Sequence, residues 1–150
     1  MISNYHVVKD ATKVRLLTSA GLIDAKVVQV DAANDLALLK ADGKFSPLPI
    51  SSSRSAQLGG TVATVGFPDI GLQGFAPKVL AHGHHAGAAP AASGALPENV
   101  NYAVKSSLLL SFLESVPDLA PKLKEPNTKD EKFEDVVKEA QNAAVLVLVY

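Results

Sequence analysis

Short alternating segments separated by turn residues make up most of the first hundred residues. KVRLLTS (13–19) and LIDAKVVQVD (22–31) lie on either side of Gly21. In the second segment apolar and polar side chains alternate, with Ile23, Ala25 and Val27 against Asp24 and Lys26. A period of two around a glycine turn is typical of a β-hairpin with one face in a core. We therefore predict a hairpin over residues 13–31.

Further strand-like segments follow at similar spacing. They are DLALLKA (35–41), TVATVGFP (61–68), GFAPKVLA (74–81) and NVNYAVK (99–105), with Gly and Pro between them. Many short strands with turn residues at this spacing indicate a β-barrel or a β-sandwich.

The C-terminal part has a helical period instead. SSLLLSFLESV (106–116) begins with Ser106, a candidate helix cap, and one helical face carries Leu109, Phe112, Leu113 and Val116. Prolines at 117, 121 and 126 then predict an extended linker.

A second helix is predicted after this linker. Thr128 and Glu131 form a T-x-x-E capping box, and the apolar residues that follow at helical spacing are Phe133, Val136, Val137, Ala140 and Ala144. The chain ends in VLVLVY (145–150), an uncharged hexamer with high β-propensity. Left unpaired, such a segment favours aggregation.

The segment from Ala81 to Asn99 fits neither pattern. It is rich in Ala, Gly and Pro, so it has little bulk for a core and is predicted to be a loop. His82, His84 and His85 have a spacing that could offer imidazoles to Zn²⁺ or Ni²⁺. Solvated loop histidines are the favoured interpretation, and we predict neither a metal site nor a cofactor.

Composition excludes several classes of function. The 150 residues fit one domain, the net charge is −1, and no run of basic residues favours nucleic acid. No cysteine is available as a nucleophile or metal ligand. No apolar run approaches the ~20 residues of a membrane span, and the first residues do not have the pattern of a signal peptide. We expect no nucleic-acid partner and no membrane span.

Two residues stand out as candidates for chemistry. Asp35 directly precedes an apolar strand, where burying a carboxylate costs several kcal/mol unless it is paired. His6 is a natural partner, since a carboxylate that accepts Nδ1–H leaves Nε2 free as a base. We therefore expect His6 and Asp35 to approach each other.

The segments around these residues resemble the trypsin-like serine proteases, in particular their HtrA/Deg-like branch. The similar segments are SNYHVV, AKVVQVDAANDLALLK, LGGTVATVGFPDIGLQG and ENVNYAVKSSLLLSFL, between Ile2 and Glu114. The resemblance implies a general base at His6, an orienting carboxylate at Asp35, polypeptide substrates and no cofactor. It also implies a mostly β fold, which we expect to be an incomplete trypsin-like double β-barrel with a C-terminal helical tail. Members of this family are often periplasmic or secreted.

The family's nucleophile motif, Gly-Asn-Ser-Gly-Gly-Pro, does not occur in the chain. Ser93, in AASGALP, is the nearest partial match to this motif, but it lacks the preceding Gly-Asn and the second glycine. We expect a truncated domain over residues 1–116, with the second barrel shortened at 81–99 and the strand before His6 missing, and a tail over 117–150.

Two functions are compatible with these residues. One is a serine-endopeptidase-like domain that is inactive because it has no nucleophile loop. The other is a non-enzymatic binding or assembly module that uses sheet edges and the C-terminal helix. Neither the oligomeric state nor the compartment follows from the residues.

Overall fold

The structure is a computed structural model that describes residues 1–18, 20–57, 59–67, 76–84 and 104–150, with the side chains of 80–84 left out. In chain order the elements are β1 (Ile2–Ser3), α1 (Tyr5–Val8), β2 (Val14–Thr18), β3 (Gly21–Asp31), β4 (Leu36–Ala41), β5 (Thr61–Gly66), β6 (Lys78–His84), α2 (Ser106–Glu114), a 3-10 helix (Ala120–Lys122), α3 (Phe133–Ala143) and β7 (Leu146–Val149).

An antiparallel five-stranded sheet in the order β1-β4-β3-β2-β7 combines the first four strands of the chain with the C-terminal strand. The predicted hairpin is confirmed as β2 and β3, which pair with Leu16 opposite Ile23 and Thr18 opposite Gly21. Gly21 has a φ of +109°, a conformation that favours glycine because it has no Cβ. The Thr18 hydroxyl donates to the Gly21 carbonyl at 3.0 Å and closes the turn.

The alternation predicted for β3 holds only in its first half. Ile23 and Ala25 are half-buried as expected, but Val27 is 42% exposed. The register against β4 shifts between Val27 and Gln29, where β3 carries a bulge. The bulge follows Val27, which lies opposite Leu39 and so keeps the face of Ile23 and Ala25, but the burial predicted for Val27 is wrong. Beyond the bulge Val30 rather than Gln29 shares that face, because the extra residue shifts the alternation.

Strand β4 is buried on both faces, and each face belongs to a separate cluster. On one face Ala37 and Leu39 pack with Val8, Val14 and Leu16. On the other face Leu36 and Leu38 pack with Phe112, Leu113 and Val116, with Leu109 partly buried against them. The apolar face predicted for α2 is therefore confirmed, and α2 lies against the side of β4 opposite the first cluster.

The start of α2 differs from the prediction. Lys105 occupies the N-cap position without a side-chain cap, and Ser106 is already inside the helix. The hydroxyl of Ser53 accepts the Ser107 N–H at 3.1 Å, and the Ser106 hydroxyl donates to the same oxygen at 3.1 Å. The prediction of a Ser106 cap is wrong because a segment distant in sequence supplies the acceptor that a local cap would provide.

The linker and the second tail helix are also corrected. The proline-rich linker includes turns and a 3-10 helix at Ala120–Lys122, so it is not extended throughout. Helix α3 begins at Phe133 with Lys132 as its N-cap, which makes the predicted capping box wrong. Upstream, the Asn127 N–H donates to the Ile50 carbonyl at 2.8 Å, and the Asn127 side chain accepts the Lys129 N–H at 3.1 Å. These hydrogen bonds hold the segment around Asn127 in a non-helical conformation.

The apolar C-terminal segment is paired. β7 runs antiparallel to β2, with Leu16 opposite Val147, and Tyr150 N–H donates to the Lys13 carbonyl at 3.0 Å. Val145 and Val147 pack against the first cluster. β7 is thus an edge strand of the five-stranded sheet, and one of its two edges is hydrogen-bonded to β2.

A second, two-stranded sheet contains β5 and β6. β6 continues to His84, so the loop predicted over 81–99 is wrong for residues 81–84, and the rest of that segment lies outside the described residues. The Gln141 side chain of α3 donates to the Pro77 carbonyl at 3.1 Å. The fold is mostly β, an incomplete trypsin-like barrel with a C-terminal helical tail, as predicted.

Candidate functional site

The sheet itself brings His6 next to Asp35. β1 pairs with β4, with Ile2 opposite Leu38 and Ser3 opposite Ala37. The prediction that the strand before His6 is missing is therefore wrong, since two residues of strand precede α1. The register of β1 against β4 places the residues after β1 beside the residues before β4, because the strands are antiparallel. α1 begins two residues after Ser3 and carries His6, while Asp35 directly precedes Leu36.

A tight turn orients Asp35 towards α1. The carboxylate of Asp31 accepts the Asn34 N–H at 3.1 Å and the Asn34 side-chain N–H at 2.7 Å. These hydrogen bonds hold the pKa of Asp31 below its usual range, the side-chain bond from Asn34 contributing most. Asp35 then adopts a φ of +54°, in the left-handed region that is uncommon for residues other than glycine but accessible to aspartate.

The Asp35 carboxylate accepts three hydrogen bonds from the segment that precedes and begins α1. Oδ2 accepts from His6 Nδ1 at 2.6 Å and from Asn4 Nδ2 at 3.1 Å, and Oδ1 accepts the His6 N–H at 2.8 Å. The main-chain carbonyl of Asp35 also accepts the Tyr5 N–H at 3.1 Å. Asp35 therefore caps α1 from a distant turn, since it satisfies N–H groups that the first turn of a helix leaves unpaired.

These bonds determine which imidazole nitrogen remains for chemistry. An ionised carboxylate can only accept a hydrogen bond, so the contact with Asp35 requires a proton on His6 Nδ1. In the neutral imidazole Nε2 then carries no proton and can accept one. The His6 N–H contributes most to holding the pKa of Asp35 below its usual range, followed among the favourable contacts by the imidazole. The charged form of the carboxylate is therefore favoured.

The two side chains meet as predicted, but the expected cause, the cost of burying an unpaired carboxylate, is wrong. The Asp35 side chain is 40% exposed and that of His6 is 67% exposed, so neither is a buried charge that needs a partner. Asp35 precedes the strand, and the first inward side chain of β4 is Leu36. Helix capping, rather than the cost of desolvation, accounts for the position of the carboxylate.

Other candidates from the sequence are not part of this site. Ser93 and His85 lie outside the described residues, and His82 and His84 are described only through the backbone of β6. Among the residues that the structure describes, no serine or threonine hydroxyl hydrogen-bonds the His6 imidazole. In the same residues no group of three His, Cys, Asp or Glu side chains is arranged for a metal ion. No helix in the described ranges has the length and apolar character to cross a membrane.

One cleft in the described structure lies away from this pair. It measures about 440 Å³, and neither His6 nor Asp35 lines it. Its walls come from the end of β2, the segment around Phe45, Pro77 and the end of α3. Within the described residues, His6 and Asp35 form an exposed pair outside this cleft.

The family model described as "Trypsin-like peptidase domain" matches residues 1–108. The chain belongs to this family. Over 95 residues this trypsin-like peptidase domain is 34% identical to a "Probable periplasmic serine endoprotease DegP-like" of Rhizobium meliloti (strain 1021). The match covers 60% of the chain and 19% of that relative, so the chain corresponds to a small part of the relative's length. No solved structure matches the chain significantly.

The resemblance to the HtrA/Deg-like branch is thereby confirmed. Reasoning from the sequence missed Asn4, whose side chain contacts the carboxylate of Asp35. Its position two residues before His6, within the SNYHVV segment, was the available signal. The role of Asp31 and Asn34 in setting the turn was also missed.

Proposed function

We propose that His6 and Asp35 are the general base and the orienting carboxylate of a serine-endopeptidase-type site. The observation that carries this proposal is the 2.6 Å contact between His6 Nδ1 and Asp35 Oδ2. In peptide-bond hydrolysis Nε2 takes the proton of a serine hydroxyl as that oxygen attacks the substrate carbonyl, and the carboxylate stabilises the imidazolium that forms. The 67% exposure of the His6 side chain is compatible with access for a second group.

We further propose that the chain does not hydrolyse peptides on its own. Acyl transfer needs a hydroxyl within ~3 Å of the imidazole and backbone N–H groups directed at the developing oxyanion. The Gly-Asn-Ser-Gly-Gly string that provides both in this family does not occur in the 150 residues. Because the members of a catalytic triad act as a unit, a base and its orienter alone give little acceleration.

A second candidate function is a binding module for an extended peptide segment. It is favoured by β7, an uncharged edge strand that pairs with β2 on one side. At its end Val149 is 43% exposed and Tyr150 is 60% exposed. An edge strand of this kind can accept a further strand through main-chain hydrogen bonds, and that function requires no nucleophile.

A fluorophosphonate probe tests the proposed inactivity of the isolated chain, since covalent labelling requires an activated serine. We expect no labelling of the purified chain and no turnover of casein. The matched variants are Ser93→Ala and His6→Ala. Labelling that disappears in both would contradict the proposed inactivity and identify Ser93 as the nucleophile. Labelling that persists in both comes from a contaminating protease.

A further inference from the structure

Asn4 contacts Asp35 at two points. Its side-chain Nδ2 donates to Asp35 Oδ2 at 3.1 Å and to the main-chain carbonyl of Asp35 at 3.2 Å. Oδ2 is also the oxygen that accepts from His6 Nδ1. One amide group therefore joins the backbone of residue 35 to the carboxylate oxygen that faces the imidazole.

This use of Asn4 differs from the usual one at its position. Asn4 is the N-cap residue of α1, where an asparagine oxygen normally accepts an N–H of the first turn. Here Asn4 makes no side-chain cap bond. The capping is done by Asp35, which accepts the Tyr5 and His6 N–H groups. The amide of Asn4 thus contributes to the orientation of the carboxylate instead of to the cap.

The exposure of the pair gives this contact its importance. Buried catalytic carboxylates are held by surrounding side chains, whereas Asp35 is 40% exposed and depends on its hydrogen bonds for orientation. Its φ of +54° adds a backbone conformation that needs support from outside the turn. The Nδ2 bond to the Asp35 carbonyl supplies such support.

We propose that Asn4 is a positioning residue that holds the Asp35 carboxylate in the orientation required to keep His6 protonated on Nδ1. The inference rests on the proposed function, since it assigns Asn4 to the same site. Asn4 touches neither a substrate nor a reacting atom, and it acts through Asp35. Without it, Oδ2 loses one of its two donors and the carboxylate rotates more freely about its χ angles.

The test measures the tautomer of neutral His6 by ¹⁵N NMR of the imidazole in the full chain. The wild-type chain should show the Nδ1–H tautomer. Asp35→Ala should show the tautomer population of an imidazole that has no carboxylate partner. Asn4→Ala is expected to shift the tautomer population towards that of Asp35→Ala. Asn142→Ala, at an exposed asparagine of α3, is the matched control and should leave the population unchanged.

A second variant separates positioning from loss of structure. Asn4→Asp retains the size of the side chain but cannot donate, so it should lower the Nδ1–H population as well. Urea unfolding of each variant reports whether the fold is retained. A wild-type population in both folded Asn4 variants overturns the inference while leaving the His6–Asp35 pair intact. A wild-type chain that already matches Asp35→Ala overturns both the pair and the role of Asn4.

Discussion

Leu16 is the side chain on which the stability of the first sheet should depend most. It is fully buried, and it packs in one cluster with Val14 of its own strand, Val8 of α1 and Leu39 of β4. Leu16→Ala removes side-chain atoms from a place that those neighbours enclose. We expect a large loss of stability from this single change.

The expected magnitude follows from the complete burial. Truncation of a buried leucine costs the lost transfer free energy and a cavity term, together about 3 kcal/mol. The matched control is Leu22→Ala, which deletes the same atoms from a residue of β3 that is 45% exposed. That change should cost about 1 kcal/mol or less. In a chain of this size the Leu16 variant should melt ~6–12 °C lower than the wild type.

Urea unfolding followed by far-UV circular dichroism measures both free energies of unfolding. The difference between Leu16→Ala and Leu22→Ala is the quantity of interest, because both variants share the same chemical deletion. Equal losses for the two variants would refute the assignment of Leu16 to the interior of the sheet. A larger loss for Leu22→Ala would invert the predicted faces of the hairpin.

Two further predictions concern acid stability and the start of α2. The folded-state pKa of Asp35 is lowered, mainly by the His6 N–H, so its stabilisation should be present above the unfolded value of ~3.9 and be lost as pH falls through the lower folded value. Asp35→Asn should therefore reduce the dependence of unfolding free energy on pH in the acid range, and an unchanged dependence in urea titrations would contradict this cause. Ser53→Ala removes the acceptor of the Ser107 N–H and should cost about 1 kcal/mol in urea unfolding. Ser55→Ala, in the same turn, is the comparison, since its hydroxyl donates to the Ser52 carbonyl at 2.7 Å and not to α2. No loss of stability in Ser53→Ala would exclude a capping role for Ser53.

Local patterns were sufficient wherever a residue's environment depends on its near neighbours in sequence. The β2–β3 hairpin followed from period-two alternation around Gly21, whose φ of +109° is one that glycine accepts. The buried face of α2 followed from the spacing of Phe112, Leu113 and Val116. Burial of an apolar face is the main source of stability for such elements. The spacing of apolar residues along the sequence therefore indicates whether a segment is a strand or a helix.

The pairing of His6 with Asp35 was also accessible from the sequence, through the segments that carry the family resemblance. The physical reason for this pairing could not be predicted from the sequence. Whether Asp35 is buried depends on where β4 begins, and the chain enters the strand at Leu36 and leaves the carboxylate exposed. The helix that this carboxylate caps lies 29 positions away in sequence.

The remaining differences have the same origin, since they involve partners that are distant in sequence. Ser53 accepts the Ser107 N–H at the start of α2, and Asn127 binds the Ile50 carbonyl where a local capping box was expected. The C-terminal segment is not the unpaired strand that the sequence left possible, because β2 pairs with β7. Hydrogen-bonding groups at helix ends and strand edges accept whichever partner the fold brings near, and only the tertiary structure selects that partner.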